Sequence, residues 1–326
     1  MACDWEVQLS ATRDDDSMEH VFAALDLVEA LEDQMTVYRN DSEVIRINRL
    51  AADRPVSVEP RLFAVLQMAA RLHRETDGAI DITTGPLSDA WGFSRRRGRV
   101  PSDQEIADAM SRVGMQHVVL DDADGTIEFR RPGMAINLNS IGKGYALDRM
   151  TEVLADGNVD DYLLHGGKSS VLARGDQPRR GAGVPPARDI AGQARRLPHE
   201  GWTIGLRHPL RPTERLGEFC LRNESLSTSG AGTQFFRRRG RRYGHILDPR
   251  TGRPAEGIYS ATVIAPTAAE AEALSTAFYV MSPDKVAEYC AARPDLAALL
   301  VLPAEREGEV ELRTFGLDAD RWCRLE

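Results

Sequence analysis

Asn137-Leu138-Asn139-Ser140-Ile141-Gly142-Lys143-Gly144-Tyr145-Ala146-Leu147-Asp148 passes from small polar residues into a helical pattern. Ahead of it, Met134, Ala135 and Ile136 form an apolar, strand-like run. Behind it, Tyr145, Leu147, Met150 and Val153 continue with helical spacing. A lysine between two glycines at the mouth of a helix suits phosphate binding. Backbone approaches closely where side chains are missing, the first helical N–H groups lack partners, and the ammonium adds a full charge. The spacing matches neither the dinucleotide-binding G-x-G-x-x-G pattern nor the Walker A loop, because the required glycine repeat is missing. On these residues alone, an ordinary strand-to-helix turn with a solvated lysine carries equal weight.

The 326 residues suffice for one large domain or two closely packed halves. Hydrophobic residues make up 42% and charged residues 28%, so a globular core is expected and global disorder is not. A formal net charge of −9 and a pI near 5.4 argue against a general nucleic-acid binder. Two arginine clusters stand out locally, Arg95-Arg96-Arg97 with Arg99, and Arg237 to Arg239 with Arg241 and Arg242. They read as solvated turns or, second, as a docking surface for an anionic ligand or protein partner. Cys3, Cys220, Cys290 and Cys323 form no CxxC pair, so neither a zinc knuckle nor a disulfide framework is indicated. No apolar run is long enough to span a bilayer. With no basic or hydrophobic segment ahead of Cys3, the cytoplasm is the expected location, export of a longer form being left open.

Strand-like alternation at Trp5–Leu9 precedes a helix capped at Asp16, with Val21, Leu25, Val28 and Leu31 on its apolar face. A polar loop surrounds Tyr38 to Glu43. Pro60 opens a second helix that closes near Asp77-Gly78, and Ser102 with Glu105 forms a capping box for a third, running to about Val113. His117–Leu120 and Thr126–Phe129 predict a hairpin around Asp124-Gly125. Strands are expected at Tyr162–Leu164, Trp202–Leu206, Glu218–Leu221, Ser225–Thr228 and Tyr259–Ile264. A helix follows from about Ala268 to Met281, another after Ser282-Pro283, and a final strand pair at Ala297–Leu302 and Val310–Phe315. Residues Gly175 to Glu200, rich in Gly, Pro and Arg, predict a flexible insertion. Runs of strands interspersed with helices indicate an α+β fold with mixed or antiparallel sheets.

Four further segments carry candidate chemistry. In Asp77-Gly78-Ala79-Ile80-Asp81-Ile82-Thr83-Thr84-Gly85-Pro86-Leu87, small residues beside Asp81 and Thr83 would admit a flat ring, or the segment is a Gly/Pro turn with local bonding. Ser227-Thr228-Ser229-Gly230 is a hydroxyl-rich strand end whose use as a nucleophile requires a nearby base. His245 stands three residues before Asp248-Pro249-Arg250-Thr251-Gly252, as an acid/base group, a ligand contact or a brace for the turn. Glu272 and Thr276, four apart, share one helix face and offer hard oxygen atoms that suit Mg²⁺; a surface Glu beside a Thr is the plainer alternative.

In this order the segments resemble the ApbE family of flavin transferases. The resemblance is most specific in Gly78-Ala79-Ile80-Asp81 with Thr84-Gly85-Pro86-Leu87, in Ile141-Gly142-Lys143-Gly144-Tyr145-Ala146, and in His245-Ile246-Leu247-Asp248-Pro249-Arg250-Thr251-Gly252. It covers nearly the whole chain apart from the insertion and implies a single ApbE-like domain over 1–326. It further implies an enzyme that uses FAD as substrate and Mg²⁺ to attach FMN through a phosphoester to a Thr or Ser of an acceptor protein, with release of AMP. Met1, Tyr38, Ala79, Ile80, Asp81, Asn137, Lys143 and Ile246 match FAD-contact positions, and His245 matches the motif's histidine. The backbone carbonyl of Ser140 and the side chains of Glu272 and Thr276 match metal ligands. This sequence departs from the family pattern at Glu272 and Asn137, where aspartate is usual, and at Lys168, where an acidic residue is usual. The departures make a silent FAD-binding protein one alternative expectation; an FAD pyrophosphatase releasing FMN and AMP is the other.

Overall fold

The computed structural model describes residues 3–10, 15–95, 97–177, 200–230, 232, 234–306 and 308–325. In chain order they form β1 (Trp5–Leu9), α1 (Asp15–Met35), α2 (Glu43–Leu50), β2 (Val56–Ser57), α3 (Pro60–Glu75), α4 (Gly85–Ala90), α5 (Asp103–Met110), β3 (Val118–Asp121), β4 (Thr126–Phe129), α6 (Gly142–Asp156), β5 (Tyr162–Gly166) and β6 (Ser170–Arg174). Then come β7 (Trp202–Arg207), β8 (Arg215–Leu221), β9 (Ser225–Gly230), β10 (Phe235–Arg238), β11 (Arg241–Gly244), β12 (Leu247–Asp248), β13 (Arg253–Pro254), β14 (Ser260–Ala265), α7 (Ala268–Val280), α8 (Pro283–Ala292), β15 (Ala297–Pro303), β16 (Val310–Phe315) and β17 (Trp322–Arg324). The α+β class read from the sequence holds. The expected insertion at about 175–200 falls almost entirely on residues 178–199, outside the described residues.

A seven-stranded antiparallel sheet in the order β1-β5-β6-β9-β14-β15-β16 forms the frame. Period-2 alternation sorts its side chains. Ala298, Leu300 and Leu302 of β15 enter the core beneath the helices, whereas Ala297, Leu299 and Val301 face a second core. That second core is closed by the three-stranded sheet β17-β8-β7 through Trp202, Phe219 and Leu221. On the helical side, α1 and α6 cover β5 and β6 with Val21, Ala24, Val28, Leu147, Met150 and Leu154. Two neighbouring hairpins, β10–β11 and β12–β13, extend from the stretch between β9 and β14.

The capping signals of α5 and α8 act where the sequence places them, whereas α1 begins at Asp15, ahead of the cap expected at Asp16. Ser102 and Glu105 close a reciprocal box on α5, and Ser282 caps α8 ahead of Pro283. Asp77 and Gly78 end the α3 segment with positive φ. Three further expectations change. The run Met134–Ile136 is not a strand; Ala135 makes one isolated parallel bridge to Thr84, and Asn48 takes the place of a neighbouring strand. Its amide donates to the Ile136 carbonyl at 2.9 Å, and its oxygen accepts the Ile136 N–H at 2.8 Å. The polar loop ends early because Ser42 accepts the Ile45 N–H and starts α2. Gly85-Pro86 begins the short α4, because proline at a first helical position forfeits no hydrogen bond.

Candidate active site

Helix α7 is buried almost all round, from Ala268 to Tyr279 with Thr276 the half-buried exception. Five alanines allow neighbours to approach closely, and the two buried glutamates need partners. Glu270 is held by Arg71 at 3.1 Å and by Arg293 at 3.2 Å. Glu272, 3% exposed, is held by the mouth of α6: one oxygen takes the Lys143 ammonium and the other accepts the Gly144 N–H at 2.7 Å. Burial pushes the Lys143 ammonium below its ordinary range, with Cys3 working against that shift.

Diverting the Gly144 N–H to Glu272 has a consequence for Ser140. In a regular helix that N–H would bond the carbonyl four residues back; here the Ser140 carbonyl accepts no hydrogen bond among the described residues. Thr276 lies one turn beyond Glu272, its hydroxyl 3.3 Å from the Glu272 carbonyl and 3.1 Å from the Ser229 hydroxyl. Ser229 also meets Ser275 at 2.9 Å, so the strand end of β9 supports this face of α7. Glu272, Thr276 and Ser140 each offer a hard oxygen donor, and the Lys143 ammonium shows that a cation is accommodated at the Glu272 carboxylate. The donor set fits Mg²⁺, which favours few protein oxygens and leaves room for phosphate. Among the described residues no group of three or more His, Cys, Asp or Glu side chains offers a metal site, so Glu272 is the single acid of this set.

His245 is half-buried directly after β11. Its backbone N–H and Nδ1 both point to the Gln234 carbonyl, at 3.3 and 3.0 Å. That carbonyl can only accept, so Nδ1 carries the proton and Nε2 keeps its lone pair. Burial holds the imidazole pKa below its ordinary value; the Gln234 bond raises it, and the Lys143 charge lowers it further. A neutral imidazole in the field of Lys143 is equipped to take a proton.

The remaining predicted residues divide. Asn137 is buried, and its N–H bonds the Ile82 carbonyl at 2.8 Å, joining the α6 approach to the Ala79-Ile80-Asp81 loop. In that loop the Asp81 oxygens are occupied by protein donors: the Thr83 N–H at 2.7 Å, the Thr83 hydroxyl at 2.5 Å and the Met115 N–H at 3.1 Å, with His73 Nδ1 at 3.3 Å. These bonds make Asp81 a brace of the loop. Ala79, Ile80 and Ile246 are buried in the main core. Tyr38 stands 67% exposed between α1 and α2. Met1 lies outside the described residues; Cys3, two residues on, packs beside Gly167 and within the field of Lys143. Lys168 is exposed in the turn between β5 and β6.

Asp148 was not among the expected site residues. Its carboxylate accepts the Ala268 and Ala269 N–H groups at 2.8 and 2.9 Å, capping α7 from the side of α6. Burial pushes its pKa up to about 6, against the pull of those two bonds. The available signal was its spacing: Asp148 follows Gly144 by four, so both residues face α7.

The ApbE family model matches residues 1–300. The FAD:protein FMN transferase of Haemophilus influenzae is 30% identical over 277 residues, covering 82% of this chain and 74% of the relative. The Treponema pallidum protein of the same name is 30% identical over 298 residues, covering 89% and 78%. Among solved structures, the ApbE protein of Thermotoga maritima superposes with a TM-score of 0.77 at 28% identity, covering 94% of this chain and 91% of that one. The apo Pseudomonas stutzeri flavinyl transferase ApbE gives a TM-score of 0.75 at 29% identity, covering 97% and 94%. With the family model matched over most of its length, and the same fold in solved members, this chain belongs to the ApbE family.

Proposed function

We propose that this protein is a flavin transferase that moves FMN from FAD to a Thr or Ser hydroxyl of an acceptor protein, with Mg²⁺ as cofactor and AMP as the second product. The observation that carries the reading is the meeting of Lys143, Gly144 and Glu272 at the mouth of α6, with a proton-accepting His245 in the field of Lys143. Relatives named FAD:protein FMN transferase support it. Glu272, Thr276 and the Ser140 carbonyl would hold the metal ion, which supplies charge neutralisation at the pyrophosphate oxygens. Lys143 supplies a further positive charge there, and Asn137 presents its amide from the loop before α6. The acceptor hydroxyl oxygen forms the new bond to the FMN phosphorus while the P–O bond to AMP breaks. AMP leaves with the bridging oxygen, and the hydroxyl proton passes to His245 Nε2.

Intact-mass analysis of an acceptor protein incubated with FAD, Mg²⁺ and this enzyme tests the reading. An added FMN residue on the acceptor, with equimolar AMP, is expected. Free FMN without an adduct would identify a pyrophosphatase, and bound FAD with no turnover a silent binding protein.

The state of His245 sets the pH dependence. A folded pKa below the ordinary imidazole value leaves His245 neutral, and competent as a base, throughout the neutral range. Transfer is expected to be level from the alkaline side down to about pH 6.5 and to fall below that as one proton binds. His245→Ala is expected to abolish that limb and slow transfer by roughly 10²–10⁴-fold. A variant retaining the limb would assign it to another group.

A further inference from the structure

Two arginine-rich stretches far apart in sequence meet on one surface. In the β10–β11 ribbon Phe236 opposes Tyr243, and Arg238 opposes Arg241. Phe236 and Tyr243 stack at 5.1 Å and anchor the ribbon on Phe93 at 5.6 Å and Trp91 at 5.7 Å. The loop holding Arg95, Arg97 and Arg99 presses on the same ring, since a Cβ at Gly98 would collide with Phe236. The opposite face presents Phe235, 41% exposed, with the Arg242 and Arg237 guanidiniums 3.9 and 6.0 Å from its ring centroid.

Some charge here is balanced: Glu105 pairs with Arg99, Glu256 pairs with Arg241, and Arg238 reaches the Val100 carbonyl at 3.5 Å. Among the described residues no carboxylate pairs with Arg95, Arg97, Arg237 or Arg239. At the tip, Arg239 and Gly240 have φ of 49° and 79°. Such a two-residue turn favours Asn or Gly, and a larger residue in the left-handed region is disfavoured. Arginine is held there nonetheless. The foot of the ribbon is the His245 site itself, because Gln234, whose carbonyl fixes His245, immediately precedes β10.

We infer that the arginine ribbon is the docking surface for an acidic segment of the acceptor protein, and that it delivers the acceptor hydroxyl towards His245. The inference rests on the flavin-transfer reading. An exposed aromatic ring under guanidiniums, on a rigid strand pair, combines apolar contact with bidentate carboxylate recognition. A protein of net charge −9 repels an acidic partner elsewhere on its surface, so this patch selects both the partner and its orientation.

The test uses the full chain and a short fluorescent peptide containing one Thr flanked by Asp and Glu, beside the same peptide with Ser at the acidic positions. Fluorescence anisotropy at low salt is expected to show the acidic peptide binding roughly tenfold more tightly, with the difference collapsing as salt is raised. R237E/R239E, and the milder R237Q/R239Q, are expected to lose that preference while FAD affinity, read by flavin fluorescence, stays unchanged. Equal binding of the two peptides, or variants that bind like wild type, would overturn the inference. So would duplex DNA or anionic vesicles displacing the acidic peptide more effectively than unlabelled peptide does. In parallel adduct assays, a wild type that flavinylates no acceptor overturns flavin transfer and this inference together. A wild type that forms adducts while the ribbon variants match it in acceptor KM overturns the inference alone.

Discussion

Glu272→Gln is expected to lower FMN transfer by roughly 100-fold or more, the scale associated with losing one charge-stabilising group at a reacting centre. Glu272 serves two donors at once, the Lys143 ammonium and the Gly144 N–H. Glutamine keeps one acceptor. If its oxygen stays on Gly144, its NH₂ faces the Lys143 ammonium, donor against donor, and the negative charge is gone. Lys143 is then charged and unpaired, although its side chain retains 22% exposure and a partial path to water. Stability should therefore fall by about 3 kcal/mol, the low end for breaking a buried pair. The loss of transfer is separate from the loss of stability and persists in the folded protein, because the proposed metal set contains no other acid. Glu272→Asp keeps the carboxylate one methylene shorter and restores the residue usual in the family; it should transfer within about tenfold of wild type. Initial rates of adduct formation at saturating Mg²⁺, beside urea denaturation, measure both effects. A Glu272→Gln enzyme with the wild-type rate would remove this carboxylate from the mechanism.

Signals confined to a few residues were legible in the sequence. Pro60, the Ser102 and Glu105 box, and Ser282-Pro283 start helices where caps and fixed φ require them, and short strand-like runs located most strands of the large sheet. Strand order was not legible, because β9 pairs with β6 on one side and β14 on the other through contacts that no local pattern encodes. Met134–Ile136 failed for a related reason: a side chain 88 positions away satisfies the backbone that a neighbouring strand would have served. The site shows the same division. Lys143 and Glu272 were each singled out, yet their contact spans 129 positions. Asp81 was noted for its polarity, whereas its use as a loop brace depends on Met115 and His73 arriving from other segments.

Gly144→Ala should damage both stability and transfer. A Cβ at this position would lie inside the Ala268 carbonyl and against the Ala269 nitrogen, closer than real contacts allow, and both neighbours are backbone. No rotamer change relieves that overlap, so α6 and α7 must separate. Separation is opposed by Asp148, whose carboxylate ties the Ala268 and Ala269 N–H groups to α6 one turn further on. The strain therefore passes to the softer contact, the Gly144 N–H on Glu272, which sets where the Glu272 carboxylate stands. Overpacking of this kind costs roughly 3 kcal/mol, and a lost hydrogen bond to a buried carboxylate adds about 1.5–3. Urea denaturation should show a lower midpoint with an unchanged slope, and transfer should fall even well below that midpoint, where the protein is folded. A Gly144→Ala protein with wild-type midpoint and rate would mean that the two helices yield freely, and the close approach would then have no part in placing Glu272.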